Sequence, residues 1–226
     1  IDSVIEELIN FIKQRQDNFK SLEICWHGGE PLVAITTIKK ILTRIRKDVK
    51  LELKGHSIVT NGYLLNEKAF ECFSEFPLGY IQITIDGNER THNLNRVSKK
   101  GDPTFQKIIC NIDSLTEIFP NTNVAIRMNV HKENAAEFIP LYQKLSKRWS
   151  GRKVNIYPAF VMNNQSCKVP CFSSVEKTMF LYELYQKIGK MYSDIDMKLK
   201  TGNCTAIYET AMLLIQEETS SSAGLM

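Results

Sequence analysis

The segment LEICWHGGEPL, residues 22–32, carries a short apolar strand directly into a turn with two glycines, a carboxylate and a proline. Gly28 and Gly29 allow the backbone to come within hydrogen-bonding distance of a ligand, and the carboxylate of Glu30 is an acceptor suited to an ammonium group. The segment therefore predicts either a ligand-binding turn or an ordinary strand-to-helix turn with Glu30 at the surface. The rest of the chain decides between them.

Strand patterns and helix patterns alternate along the chain. The predicted strands cover residues 22–26, 56–60, 80–86, 123–130 and 153–157. One predicted helix begins at Ser3, and three others cover 36–48, 66–76 and 173–192. Two more helices are predicted to follow caps, one formed by Asp102 and Pro103 and the other by Asn134 with Glu137. This alternation predicts an α/β fold with parallel strands wrapped by helices, and both an open sheet and a barrel are compatible with it.

Composition limits the classes of partner. The 226 residues are 43% hydrophobic and carry 29 Lys and Arg against 25 Asp and Glu, a net charge of +4. The basic residues are scattered rather than clustered, so we expect no nucleic-acid partner. No apolar run is long enough to span a membrane and no signal peptide opens the sequence, so we expect no membrane association and a cytoplasmic location.

The cysteines show no disulfide pattern. They occupy positions 25, 72, 110, 167, 171 and 204 at unrelated spacings, and three of them lie inside apolar segments. This distribution is typical of reduced, buried thiols, so we expect no disulfides.

Polar residues and glycines follow four of the five predicted strands. They occur at 27–31, 60–62, 84–87 and 127–130. In a parallel α/β fold the carboxyl ends of the strands share one edge, where ligands bind. Each segment alone is ordinary turn chemistry, but four at the same edge favour a common site.

These segments, in this order and spacing, resemble the radical S-adenosylmethionine (SAM) superfamily, and within it the SPASM-type peptide and protein maturases such as anaerobic sulfatase-maturating enzymes. The resemblance covers residues 1 to about 206. Gly28, Gly29, Glu30 and Pro31 look like the Gly-Gly-Glu-Pro motif, which implies that they hold the methionyl ammonium of SAM.

Further cofactor residues are implied by the same resemblance. Thr60 and Asn61 match a Thr-Asn-Gly segment, and Thr84 matches a strand residue that approaches SAM. Arg96, in a His-x-x-x-Arg spacing with Asn93 where Asp is usual, would lie near the cofactor carboxylate. Asn129 would border the adenosine.

Asp86 is the candidate catalytic residue, and three roles stay open for it: positioning the substrate, taking part in proton transfer, or capping the junction of strand and loop. His92 lies close by and is too isolated in the sequence to be named as a base. His56 and His131 are interpreted as structural, and His27 as a turn or packing residue.

The resemblance also implies the architecture and the iron site. We expect a partial (β/α)6 TIM-like barrel of parallel strands over residues 1–200, without its first strand and cluster loop, and the start of a truncated SPASM-like extension over 201–226. The [4Fe–4S] cluster would have its Cys-x-x-x-Cys-x-x-Cys ligands outside this chain. Cys204 would be a ligand of an auxiliary cluster, whereas the pair Cys167 and Cys171 lacks a third cysteine, because Ser174 stands there.

The implied function is reductive cleavage of SAM to a 5′-deoxyadenosyl radical that abstracts hydrogen from a peptide or protein substrate, with a flavodoxin or ferredoxin as reductant. The alternative is a relative without the cluster that serves as a binding or scaffold protein in a peptide-maturation system. A nicotinamide-binding Rossmann domain is excluded, because no Gly-x-Gly-x-x-Gly links a strand to a helix.

Overall fold

The computed structural model describes residues 2–161 and 169–188. The helices are α1 (Asp2–Lys13), α2 (Ile35–Asp48), α3 (Glu67–Glu75), α4 (Glu89–Asn95), α5 (Phe105–Ile118), α6 (Phe138–Arg148) and α7 (Ser174–Ile188). The strands are β1 (Ser21–Trp26), β2 (Glu52–Thr60), β3 (Leu78–Thr84), β4 (Asn123–Val130) and β5 (Val154–Phe160). Short 3-10 turns cover Gln16–Asn18, Pro31–Ala34 and Ala135–Glu137.

The five strands of the described residues form one sheet in the order β1-β2-β3-β4-β5. The pairs β1–β2, β2–β3 and β3–β4 are parallel. Each strand therefore lies beside its sequence neighbour, with no point at which the order reverses. Sequential parallel order with helical crossovers is the connectivity of a TIM-type barrel wall, so the predicted α/β class is confirmed and the open, doubly wound alternative is removed.

The described residues divide into two compact units. The first comprises 2–128 with 145–156, and the second comprises 129–144, 157–161 and 169–188. In the first unit the strand alternation separates two faces of the sheet. On β3, Ile81 and Ile83 are fully buried, whereas Gln82 and Thr84 between them are half-exposed. The apolar face therefore forms the core, and a polar face remains opposite it.

Two predicted helix caps differ from the structure because their side chains bond to other partners. The predicted Asp102-Pro103 cap is wrong: α5 begins at Phe105 after Thr104. Asp102 instead accepts a hydrogen bond of 3.0 Å from the Ser98 hydroxyl, in a loop where Val97 bridges to Pro103. Short polar side chains compete in this way for local backbone and hydroxyl partners.

The predicted capping by Asn134 is also wrong. Its side chain accepts from the His131 N–H at 2.9 Å and donates to the Asn129 carbonyl at 2.9 Å, so it closes the turn after β4, and α6 begins later, at Phe138. The short helix α4 was not predicted. By contrast, the predicted start of the last helix is confirmed to within one residue, since α7 begins at Ser174 and Ser173 and Glu176 exchange hydrogen bonds as a capping box.

The cysteine prediction holds only in part. None of the four described cysteines forms a disulfide, and Cys72 is buried as expected, but Cys25 and Cys110 are exposed. Cys25 is exposed because it points to the polar face of β1, which an apolar stretch of sequence does not reveal. Some predictions lie outside the described residues. They concern the last turn of α7 beyond residue 188, Cys167, Cys204 and the extension 201–226. None of the described helices is long and apolar enough to cross a membrane.

Candidate functional site

The carboxylate of Glu30 is held by three donors from two loops. Its Oε1 accepts from the hydroxyl of Thr60 at 2.6 Å and from the backbone N–H of Leu32 at 3.1 Å. Its Oε2 accepts from the backbone N–H of Asn61 at 2.9 Å. These bonds tie the turn after β1 to the end of β2 and fix the orientation of the carboxylate before any ligand binds.

Backbone geometry around Glu30 depends on glycine. Gly28 has φ +141°, a region that favours glycine, and Pro31 opens the 3-10 turn that Glu30 caps. Gly62, after Asn61, has φ +78°, and a Cβ there would lie 2.9 Å from Ile83 Cγ2. The loop after β2 therefore needs glycine for both its conformation and its packing.

A second cluster lies after β3, where Asp86 is buried. Arg96 Nε donates to Asp86 Oδ2 at 2.5 Å. Within the described residues, the side chain of Arg96 forms a hydrogen bond at Nε, and its two terminal nitrogens form none. A planar guanidinium held at Nε keeps its outer edge for a second carboxylate.

His92 is completely buried beneath this pair. Its Nδ1 accepts from the Asp86 backbone N–H at 3.2 Å, and its Nε2 lies 3.1 Å from Thr104 Oγ1. Burial first, and then the charge of Arg96, lower the pKa of His92 to about 4, although Asp86 opposes the shift. The imidazole is therefore neutral at physiological pH and has a structural role rather than that of a base.

His56 is neutral for a similar reason, since burial lowers its pKa against the opposing hydrogen bond with the Phe76 carbonyl. Its Nδ1 accepts from the indole N–H of Trp26 at 3.2 Å. This contact anchors the residue that precedes the turn at 27–31. The structural interpretation of His56 agrees with this position, and His131 is buried as well, in the second unit.

The two clusters open into one cavity. Glu30, Asn61 and Arg96 line a space of about 660 Å³, which Tyr63, Leu64 and the loop of 97–102 complete. Lys99 and Lys100 lie on its rim. The cavity is therefore lined by a carboxylate and by a guanidinium, a pair of charges complementary to an amino acid zwitterion.

The remaining predicted site residues are placed by their strands. Thr84 ends β3 on the half-exposed face and pairs in register with Arg127 of β4. Gly29 is exposed in the turn before Glu30. Asn129 lies near the end of β4 and belongs to the second unit, where its carbonyl accepts from Asn134. Among the described residues, no group of three Cys, His, Asp or Glu side chains could hold a metal, and Cys204 is not described.

Sequence reasoning missed two contributors to the Arg96 cluster. Thr104 contacts His92, and the Asn93 side chain accepts from the backbone N–H groups of Thr104 and Phe105, each at 3.0 Å. The only sequence signal was that Asn93 stands where Asp is usual. The side chains of asparagine and aspartate can both accept these two hydrogen bonds, so Asn93 in place of an aspartate keeps the contact.

Comparisons with known proteins agree on one family. A sequence model described as the Radical SAM superfamily matches residues 2–145. A serine-type anaerobic sulfatase-maturating enzyme of Klebsiella aerogenes is 29% identical over 147 residues, which are 64% of this chain and 36% of that enzyme. The radical SAM cyclopropyl synthase TigE of Paramaledivibacter caminithermalis is 31% identical over 117 residues, 52% of this chain and 22% of the synthase. The chain thus spans about a third or less of these relatives.

Solved structures show the same fold. The structure of anSMEcpe with bound AdoMet and Kp18Cys peptide has a TM-score of 0.66 and 21% identity, and covers 82% of this chain and 51% of that one. Streptococcus suis SuiB has a TM-score of 0.59 and 15% identity over 82% of this chain and 40% of its own. The predicted partial barrel is the fold of these neighbours.

Proposed function

Because the chain belongs to the radical SAM superfamily, we propose that it is the SAM-binding part of an enzyme that modifies a peptide or protein by radical chemistry. Membership implies SAM and a [4Fe–4S] cluster as cofactors. Among the described residues, the fixed carboxylate of Glu30 fits the ammonium group of SAM, and no group of side chains could hold the cluster. In this proposal the described residues act on SAM and on the substrate.

The fixed carboxylate of Glu30 is the observation that carries the proposal. A carboxylate has about four acceptor positions. Within the part of the chain that the structure describes, Oε1 accepts from Thr60 and Leu32 and Oε2 accepts from Asn61, so one position on Oε2 is left for an incoming donor. An ammonium group placed there gains a charge-assisted hydrogen bond to a carboxylate that needs no rearrangement.

Arg96 supplies the complementary charge. It lines the same cavity as Glu30, and its Nε is held by Asp86 while its outer nitrogens carry no hydrogen bond within the described residues. In our proposal the SAM ammonium binds Glu30 and the SAM carboxylate binds Arg96. The methionyl end of SAM is then fixed at two points on its Cα, which limits the directions in which the side chain can carry the sulfonium.

When bound, SAM would supply the radical chemistry, because one electron from the cluster would break its C5′–S bond to give methionine and a 5′-deoxyadenosyl radical that takes a hydrogen atom from the substrate. The chain contributes orientation at Glu30 and Arg96. The commitment of Asp86 to Arg96 favours a positioning role for this carboxylate over proton transfer. A flavodoxin or ferredoxin is the reductant that we expect to supply the electron.

A peptide or protein substrate is favoured by the polar face of the sheet. Tyr80, Gln82 and Thr84 of β3 alternate on the half-exposed face, and Thr84 pairs with Arg127 of β4. A polar, half-exposed face is compatible with the polar backbone of a peptide. The relatives named above as a sulfatase-maturating enzyme and a cyclopropyl synthase carry out different modifications, so we propose the substrate class only.

The test is SAM cleavage by the full-length protein. The protein is reconstituted anaerobically with iron and sulfide and incubated with SAM and a strong reductant, and 5′-deoxyadenosine is measured by chromatography. We expect 5′-deoxyadenosine from the wild type and from the control Glu52→Gln, which alters an exposed carboxylate at the opposite end of β2, and much less from Glu30→Gln. A wild type with a full cluster that forms no 5′-deoxyadenosine would contradict the enzyme and favour the scaffold alternative.

A further inference from the structure

Four residues after β3 form a closed ring of hydrogen bonds. The Asp86 backbone N–H donates to His92 Nδ1 at 3.2 Å, and His92 Nε2 lies 3.1 Å from Thr104 Oγ1. The Thr104 hydroxyl donates to the Arg96 carbonyl at 2.6 Å. Arg96 Nε donates to Asp86 Oδ2 at 2.5 Å and closes the ring.

The direction of every bond in the ring is determined. A backbone N–H only donates, so His92 Nδ1 is an acceptor and the neutral imidazole carries its hydrogen on Nε2. That hydrogen is donated to Thr104 Oγ1, whose own hydrogen goes to the Arg96 carbonyl, which only accepts. One tautomer and one hydroxyl orientation satisfy all four bonds, so the ring has a single arrangement.

The ring holds Arg96 at both ends. Thr104 binds its backbone carbonyl, Asp86 binds its side chain at Nε, and His92 connects these two residues. His92 is fully buried and Thr104 is 5% exposed, so water does not compete for these bonds. Asn93 adds a second connection between α4 and the start of α5, because its side chain accepts hydrogen bonds from the backbone N–H groups of Thr104 and Phe105.

We propose that His92 and Thr104 are positioning residues that set the guanidinium of Arg96 for the carboxylate of SAM. The inference rests on the proposed function, since it takes Arg96 as the carboxylate-binding group. A guanidinium that is already confined loses less conformational freedom when it binds, so the ring raises affinity through Arg96, the member that binds the carboxylate. The ring thereby makes the site selective for sulfonium ligands that carry a carboxylate.

A purely structural ring would affect stability and leave this selectivity unchanged. The distinguishing measurement compares SAM with decarboxylated SAM, which keeps the adenosine, the sulfonium and the ammonium and lacks only the partner of Arg96. Dissociation constants for both ligands are measured anaerobically on the reconstituted full-length protein. The ratio of the two constants reports the contribution of Arg96 to carboxylate binding.

The variants are Thr104→Val, which removes the hydroxyl at constant shape, and Thr104→Ser, which retains it. We expect Thr104→Val to weaken SAM binding about tenfold, the loss typical of a disturbed charge-assisted hydrogen bond, and to leave decarboxylated SAM within about twofold. Thr104→Ser should restore the wild-type ratio. Thr104→Ala, which leaves room for a water beside His92 Nε2, takes the place of Thr104→Val if the latter does not fold.

The outcomes separate the two proposals. Wild-type protein that does not bind SAM contradicts the proposed function itself. Wild-type protein that prefers SAM over decarboxylated SAM, together with a Thr104→Val or Thr104→Ala variant that keeps this preference, overturns the positioning role and leaves the proposed function standing. Equal weakening of both ligands by the variants also overturns the positioning role, because it shows a general loss of structure.

Discussion

The Thr60 hydroxyl donates to Glu30 Oε1 at 2.6 Å and accepts from the backbone N–H of Gly62 at 3.1 Å. One hydroxyl therefore connects the candidate ammonium acceptor to the loop after β2. Thr60 is 4% exposed, so this connection is shielded from water. The relationship makes the position of the Glu30 carboxylate depend on a residue that is thirty positions away in the sequence.

Thr60→Val should reduce SAM affinity about tenfold, because removing a hydrogen bond to a charged group costs about 1.5–3 kcal/mol and part of this loss is expressed in binding. Thr60→Ser keeps the hydroxyl and serves as the control, with affinity close to that of the wild type. Equilibrium dialysis of the reconstituted full-length protein measures both. Equal affinity in Thr60→Val and the wild type would show that Thr60 does not position Glu30 for binding.

Glu30→Ala removes the carboxylate itself. We expect a loss of about 1.5–3 kcal/mol in the free energy of SAM binding, the range for a hydrogen bond that involves charged groups. Glu52→Ala is the matched control, since Glu52 is exposed at the start of β2. The ammonium-binding role fails if the two variants bind SAM equally well in the same dialysis experiment.

The strands and the turn at Glu30 could be predicted because their signals are local. Alternation along β3 separates Ile81 and Ile83 from Gln82 and Thr84, and consecutive glycines before a carboxylate indicate a turn that approaches a ligand. Neither signal requires knowledge of distant contacts.

The hydrogen-bonded ring could not be predicted, because its partners are distant and no periodicity marks them. His92 and Thr104 are separated by a helix end and a loop. The wrong caps have the same origin: Asp102 and Asn134 have the residue type of a cap, but each bonds to a partner in its own turn. Whether such a side chain caps a helix or closes a turn depends on which hydrogen-bonding groups lie near it in the folded chain.

Gly62→Ala should destabilise the fold more than Gly151→Ala. Both glycines have φ +78°, so both variants incur the cost of about 1–2 kcal/mol for a side chain in the left-handed region. A Cβ at Gly62 would also meet Ile83 at 2.9 Å and Ile108 at 3.2 Å, whereas at Gly151 it meets nothing within 4 Å. Overpacking adds about 1–3 kcal/mol at Gly62 alone.

Urea unfolding followed by circular dichroism gives the free energy of unfolding for the wild type and both glycine variants. The difference between the two variants reports the packing contribution, because their backbone cost is shared. Equal destabilisation would mean that Ile83 and Ile108 move aside without cost and that only the backbone requires glycine at Gly62.

Acid should destabilise the protein through His92. The pKa of this residue is about 4 in the folded state, against 6.5 for an ordinary histidine, because burial and the charge of Arg96 disfavour the protonated form more than Asp86 favours it. The unfolded chain therefore binds a proton that the folded chain does not accept between pH 6.5 and 4. The contribution of His92 to the free energy of unfolding is fully present above pH 6.5 and falls as the pH is lowered, by about 3 kcal/mol at pH 4.

His92→Asn isolates this contribution from the carboxylates that also titrate in acid. The amide oxygen of asparagine can accept the Asp86 N–H as Nδ1 does, but the side chain does not titrate. Urea unfolding of both proteins from pH 7 to pH 4 should show the wild type losing more stability than the variant, with the gap opening below pH 6.5. Parallel losses over this range would contradict a neutral, buried His92 and with it the ring that requires Nδ1 as an acceptor.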